Sequence, residues 1–120
     1  MIRGVVYKNR PFISVIIGWL IGVQEIVALV DTGFTGELKI PLEKVSELGL
    51  VVTHTEPVAL ADDSIVNMPA SLVLVSMEGV SKVVNVLIAK GKPILGTGLL
   101  KRFGYTLNIN FKYGILTLQK

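Results

Sequence analysis

The chain has 120 residues, about half of them apolar, twelve Lys or Arg against nine Asp or Glu, one histidine and no cysteine. That length suits a single domain spanning 1–120 with a core of its own, while the missing cysteine excludes disulfides, thiolate metal sites and cysteine nucleophiles and favours a cytoplasmic setting. A lone His54 cannot build a multi-histidine metal site within one chain, so no metal or other cofactor is expected. The net charge of +3 is spread without a dense basic block, and neither nucleic acid nor membrane is an expected partner.

In chain order, strands are expected near Val5-Tyr7, Phe12-Ile17, Val23-Val30, Glu37-Ile40, Val51-Leu60, Ile65-Val75, Val83-Ala89, Tyr105-Ile109 and Ile115-Leu118. The apolar run Phe12 to Val23 contains Ser14, Gly18 and Gly22 and falls short of the ~20 residues of a spanning helix. It reads as buried strand and turn. Two short helices interrupt the strands. Pro41 suits the first position of one, Leu42, Val45 and Leu48 share a face, and Gly49 can close it in the left-handed conformation. The second covers about Gly98-Phe103 and ends at Gly104, before the alternating Tyr105-Thr106-Leu107-Asn108-Ile109-Asn110. The expected class is all-β with these two helices.

One turn carries chemistry. Asp31-Thr32-Gly33 follows the apolar run Ala28-Leu29-Val30 and precedes Phe34-Thr35-Gly36, which places a carboxylate in a glycine turn at a strand end. Asp-Thr-Gly alone is ordinary turn chemistry. Here Pro93-Ile94-Leu95-Gly96-Thr97-Gly98 repeats the frame of Ala28-Leu29-Val30-Asp31-Thr32-Gly33, with Gly96 where Asp31 stands. One chain therefore offers one such carboxylate.

These two segments, together with Ala59-Leu60-Ala61-Asp62-Asp63-Ser64, resemble the retropepsin-like aspartic proteases in their small prokaryotic single-domain branch, over about Ile13 to Leu118. The resemblance implies a pepsin-like barrel half that pairs with a second copy. It further implies an aspartic endopeptidase in which Asp31, Thr32 and Gly33 of each copy form the catalytic turn, and Ala61, Asp62, Asp63 and Ser64 form a hairpin tip closing over an extended polypeptide. Thr32 is expected to bond across the axis to the partner's turn. Ile2-Val6 and Ile115-Leu118 are the interface strands implied by analogy, so that deleting the last five residues should give an inactive monomer. Glycine is the commoner residue at Asp63, and a polar or acidic residue is commoner after the crossing glycine than Thr97-Gly98. Ile65, Leu87 and Ile88 are expected to line side-chain pockets.

Other readings carry less. Gly91 and Gly96 have a P-loop gap, but Thr97-Gly98 occupies the Lys-Ser/Thr places, and Lys101 stands where a dinucleotide fingerprint needs its third glycine. His54, between Thr53 and Thr55, reads as a surface strand residue. Two rivals stand beside the protease: a non-catalytic dimeric peptide-binding or scaffolding module of the same fold, and a small monomeric barrel serving as regulatory partner of another protein.

Overall fold

The computed structural model describes residues 1–60 and 62–120. Its strands are β1 (Ile2–Tyr7), β2 (Arg10–Trp19), β3 (Gly22–Asp31), β4 (Leu38–Ile40), β5 (His54–Ala59), β6 (Ile65–Met77), β7 (Val80–Ile88), β8 (Ile94–Gly96), β9 (Thr106–Asn110) and β10 (Ile115–Gln119); its helices are α1 (Leu42–Leu48) and α2 (Thr97–Phe103). They form one sheet in the order β5-β6-β7-β4-β8-β3-β2-β1-β10-β9, and a further β2–β6 pairing closes six of them, from β6 round to β2, into a barrel. The expected all-β class with two short helices is the one observed.

Alternation explains the barrel. Along β2 and β3, Ile13, Val15, Ile17, Ile26, Ala28 and Val30 point inward and are buried, as the two-residue period of a strand requires. Lys8 and Asn9, both at positive φ, turn β1 into β2, so the apolar run is a hairpin with Leu20 and Ile21 exposed at its far turn. No helix among the described residues is long and apolar enough to cross a membrane.

The helices close as their glycines require. Gly49 (φ +69°) and Gly104 (φ +77°) are left-handed C-caps, with the Leu50 N–H donating to Val45 O at 3.0 Å and the Tyr105 N–H donating to Leu100 O at 2.9 Å. Two details differ from expectation. Pro41 is extended (ψ 163°) and stands just before α1 rather than in its first turn, although its carbonyl still accepts the Lys44 N–H. Val45 and Leu48 are buried, but Leu42 is exposed, because it lies against the hollow formed with Pro69 and Ile88 instead of the core.

β5 starts at His54, three residues later than expected. Thr53 still donates to Ala70 O, but the Val51 carbonyl is taken by the Ser71 hydroxyl. β8 was not expected as a strand. Its three residues are held from both sides, parallel to β3 and antiparallel to β4, so its pairing comes from neighbours rather than from local propensity.

The two chain ends meet in the sheet. β1 and β10 pair with each other inside the protomer, from Ile2↔Leu118 to Val5↔Ile115. β1 is also paired with β2, and β10 with β9. Ile115-Leu118 is paired on both sides, whereas Ile2, Arg3 and Gly4 pair with β10 alone, because the β1–β2 register begins at Val5. The last five residues include Leu116 and Leu118, both fully buried, so their deletion strips the core as well.

Candidate active site

Asp31 is the last residue of β3, half-buried, and its Oδ1 accepts the Gly33 N–H at 2.8 Å. The Phe34 N–H donates to the Asp31 carbonyl at 3.1 Å, which completes a tight turn through Thr32 and Gly33. An added Cβ at Gly33 would lie 3.2 Å from Asp31 Oδ1. The glycine therefore lets a backbone donor reach the carboxylate. Thr32 is exposed in the protomer; burial of its hydroxyl requires a second copy.

The internal repeat is a physical pairing. Leu29↔Ile94, Val30↔Leu95 and Asp31↔Gly96 are register partners of the parallel β3–β8 pair, the same residues matched by aligning the two segments. Beyond Gly96, the Phe34–Glu37 loop crosses the start of α2. Phe34 O accepts the Thr97 N–H at 2.9 Å and the Thr97 hydroxyl at 3.3 Å, Gly36 O accepts the Gly98 N–H, and Glu37 O accepts the Gly96 N–H. Cβ atoms at Gly96 and Gly98 would lie 2.2 Å and 2.8 Å from Gly36 O. Gly98 is thus required by the approach of this loop, and its cost to the helix start, up to about 1 kcal/mol, is offset by the hydrogen bond that the approach permits.

A groove of about 530 Å³ runs from this turn to the β5–β6 hairpin, between Gly33, Phe34 and Gly36 on one side and Val58, Leu60 and Asp63 on the other. The hairpin is the expected flap-like element: Ala59 pairs with Ile65, and the Leu60 N–H donates to Ser64 O at 2.8 Å. Asp62 Oδ1 accepts both the N–H and the hydroxyl of Ser64, and these two bonds, the hydroxyl's first, hold the Asp62 carboxyl below its ordinary pKa. Asp63 has φ +65°, a left-handed backbone that glycine adopts without strain, as the family's usual glycine implies. Ala61 lies outside the described residues. Of the expected pocket residues, Leu87 lines the groove, Ile65 is 69% exposed, and Ile88 instead lines the hollow beside Pro41.

A second hollow of about 470 Å³ continues the groove past Thr35, Gly36 and Glu56 to Asn85, Lys101 and Arg102. Glu37 receives Arg102 Nη1 on Oε1 at 3.4 Å, while its Oε2 is buried without a partner among the described residues. His54 is half-exposed at the start of β5 and bonds Thr53 Oγ1 and Glu56 Oε1. Sequence reading missed Phe34, Val58, Leu60 and the charged group Glu37, Glu56 and Arg102. An aromatic directly after the Asp-Thr-Gly turn was the available signal for Phe34. The rest depend on tertiary placement.

The course of the chain, with its closed barrel, crossing strand and long hairpin, matches solved structures. The fold is that of the retropepsin-like aspartic proteases. EIAV protease, solved with the inhibitor HBY-793, superposes with a TM-score of 0.67 at 19% identity, over 85% of this chain and 95% of that one. A retropepsin-like aspartic protease from Rickettsia conorii gives 0.65 at 21% identity, over 98% and 87%. No protein-family model and no curated protein matches the chain. The likeness to the retropepsins is therefore carried by the fold.

Proposed function

We propose that the chain is an aspartic endopeptidase that works as a two-fold homodimer on extended polypeptide, with Asp31 of each copy meeting at the axis. The observation that carries this reading is the placement of Asp31, anchored by the N–H of Gly33, which itself lines a groove whose other wall is the hairpin tip.

Two carboxylates at close range cannot both ionise cheaply, so the pair shares one proton. The charged member takes a proton from water as its oxygen bonds to the scissile carbonyl carbon, and the protonated member gives its proton to the carbonyl oxygen. The tetrahedral diol then breaks its C–N bond as the member that took water's proton gives it to the leaving nitrogen and the other member takes one hydroxyl proton. This leaves a carboxylic acid and an amine and restores the singly protonated pair. Atoms and charge balance without a metal or cofactor. The roles of Thr32 in joining the turns, and of Asp62, Asp63 and Ser64 in holding substrate backbone, belong to this proposal, as does a cytoplasmic setting. An extended peptide can lie along the hairpin as an added strand.

The test is proteolysis of an unfolded protein across pH, with and without a peptide mimic bearing a hydroxyl between tetrahedral carbons. Cleavage blocked by the mimic and lost in Asp31→Asn supports the proposal. Peptide binding without cleavage in the unmodified chain favours the non-catalytic dimeric module, and a monomer at all concentrations favours the regulatory barrel.

A further inference from the structure

The face of the sheet that carries Asp31 is built around one row of side chains. Ala28 and Val30 point into the barrel and are buried, so Leu29 and Asp31, which alternate with them, share the outer face. Register sets Phe12 on one side of Leu29 and Ile94 on the other. Lys39 stands beyond Ile94, and next to it Leu87, which also lines the groove under the hairpin. By strand geometry Leu29 lies about 7 Å from Asp31, with each neighbour in the row one strand spacing of about 5 Å further across. The floor beside the carboxylate is therefore apolar.

Its rim is cationic. The 89–93 loop is held by three bonds: the Ala89 N–H donates to Ile40 O at 3.1 Å, Lys39 Nζ to Lys90 O at 2.7 Å, and the Leu29 N–H to Pro93 O at 2.9 Å. Gly91 makes the bend at φ +102°, a left-handed backbone that suits glycine. So fixed, the loop sets the exposed Lys92 with its Nζ 5.2 Å from the centroid of the Phe12 ring. The ring attracts the ammonium without neutralising it. Among the described residues no carboxylate pairs with Lys39, Lys90 or Lys92, or with Arg10, which stands two residues before Phe12 on the same strand.

We infer that Lys92 is a specificity-determining residue that receives a glutamate side chain of the substrate close to the scissile bond. An unpaired ammonium above an apolar floor fits a side chain of methylenes ending in a carboxylate. The methylenes lie against Leu29, Ile94 and Phe12, and the carboxylate meets Lys92 Nζ. Glutamine keeps that shape but lacks the charge. The inference rests on the endopeptidase reading above and names a substrate class for it, polypeptide with Glu beside the cleaved bond.

The test uses the full chain and peptides that span a bond it cuts in an unfolded protein, with Glu or Gln placed in turn at each position flanking that bond. At about pH 6, above the ordinary Glu pKa of about 4.3, kcat/KM should favour Glu at one or more of these positions by about twofold to fivefold, the range of a partly exposed ion pair. The ratio should fall towards one at about pH 3, where the substrate Glu is protonated. Titration of the Asp31 pair cancels, because both peptides meet the same enzyme. Lys92→Met keeps an unbranched stem over Phe12 and should bring the ratio to one at every pH, whereas Lys92→Arg should retain the preference. Lys92→Glu should turn it into a preference for Lys over Gln. Equal cleavage of the Glu and Gln peptides at every position, or a Glu preference that survives Lys92→Met, overturns the inference and leaves the endopeptidase standing. A chain that cuts no unfolded protein at any pH overturns both.

Discussion

Two segments of this molecule share the frame apolar–apolar–X–Thr–Gly and lie side by side in β3 and β8, yet one carries a carboxylate at X and the other a bare glycine. At X = Asp31 the chain turns, and its side chain accepts the Gly33 N–H beside the groove that Gly33 and Phe34 line. At X = Gly96 the chain runs on into α2, and the space of the missing side chain is filled by Phe34 and by the Gly36 carbonyl. The pair shows division of labour within a repeat: one copy supplies a carboxylate, and the other supplies the clearance in which the first copy's loop is held. A second carboxylate at position 96 would have no room.

The largest expected effect separates chemistry from packing. Asp31→Asn keeps the shape and an acceptor for the Gly33 N–H, and should reduce cleavage on the order of 10³-fold or more by removing general acid–base transfer, while thermal stability and dimerisation stay near those of the unmodified chain. Gly96→Ala is the converse. Its Cβ would stand 2.2 Å from Gly36 O and 2.6 Å from Phe34 O, both backbone atoms, so denaturant unfolding should show a loss of about 3 kcal/mol. If Gly96→Ala unfolds like the unmodified chain, the contrast between the two copies is lost.

Gly98→Ala sharpens the contrast by setting propensity against space. In an isolated helix the change is favourable by up to about 1 kcal/mol. Here the added Cβ meets Thr35 O at 2.7 Å and Gly36 O at 2.8 Å, and the expected net result is destabilisation of about 1–2 kcal/mol, readable as a lowered denaturation midpoint at constant slope. A raised midpoint means that the loop yields and the close approach is not required.

Much of this was legible in the amino-acid order, because the repeat, the two-residue alternation of β2 and β3, and the glycines at 49 and 104 are local signals with a direct geometric meaning. Aligning Ala28–Gly33 with Pro93–Gly98 even matched the observed strand register. Features set by distant neighbours were not legible. β8 is too short to show a period. Leu42 shares its helical spacing with Val45 and Leu48, but only Pro69 and Ile88 determine that it leaves the core. The pairing of the two termini with each other inside the protomer, more than a hundred residues apart, was likewise not legible. Glu37 and Arg102 lie 65 residues apart in sequence, and no pattern in the chain announces their contact.

The smallest effect concerns a second aspartate turn. Asp62 Oδ1 accepts the N–H of the residue two positions on, as Asp31 Oδ1 does, at 3.0 Å against 2.8 Å, so local geometry alone does not distinguish the reactive carboxylate from a structural one. Their surroundings differ. Asp31 is anchored between barrel strands, while Asp62 stands at a solvated tip and is satisfied by Ser64. The Ser64 bonds lower the folded pKa of Asp62, so their contribution is complete above the ordinary Asp value of about 3.9. It fades as pH falls through the lower folded value. Asp62→Ala should therefore leave global unfolding unchanged, accelerate exchange of the Ser64 amide, abolish the acid titration of that amide's chemical shift, and lower cleavage far less than Asp31→Asn does, through weaker substrate binding alone. A loss of cleavage as large as that of Asp31→Asn, with the Asp31 turn intact, would instead assign chemistry to the tip and erase the distinction between the two turns.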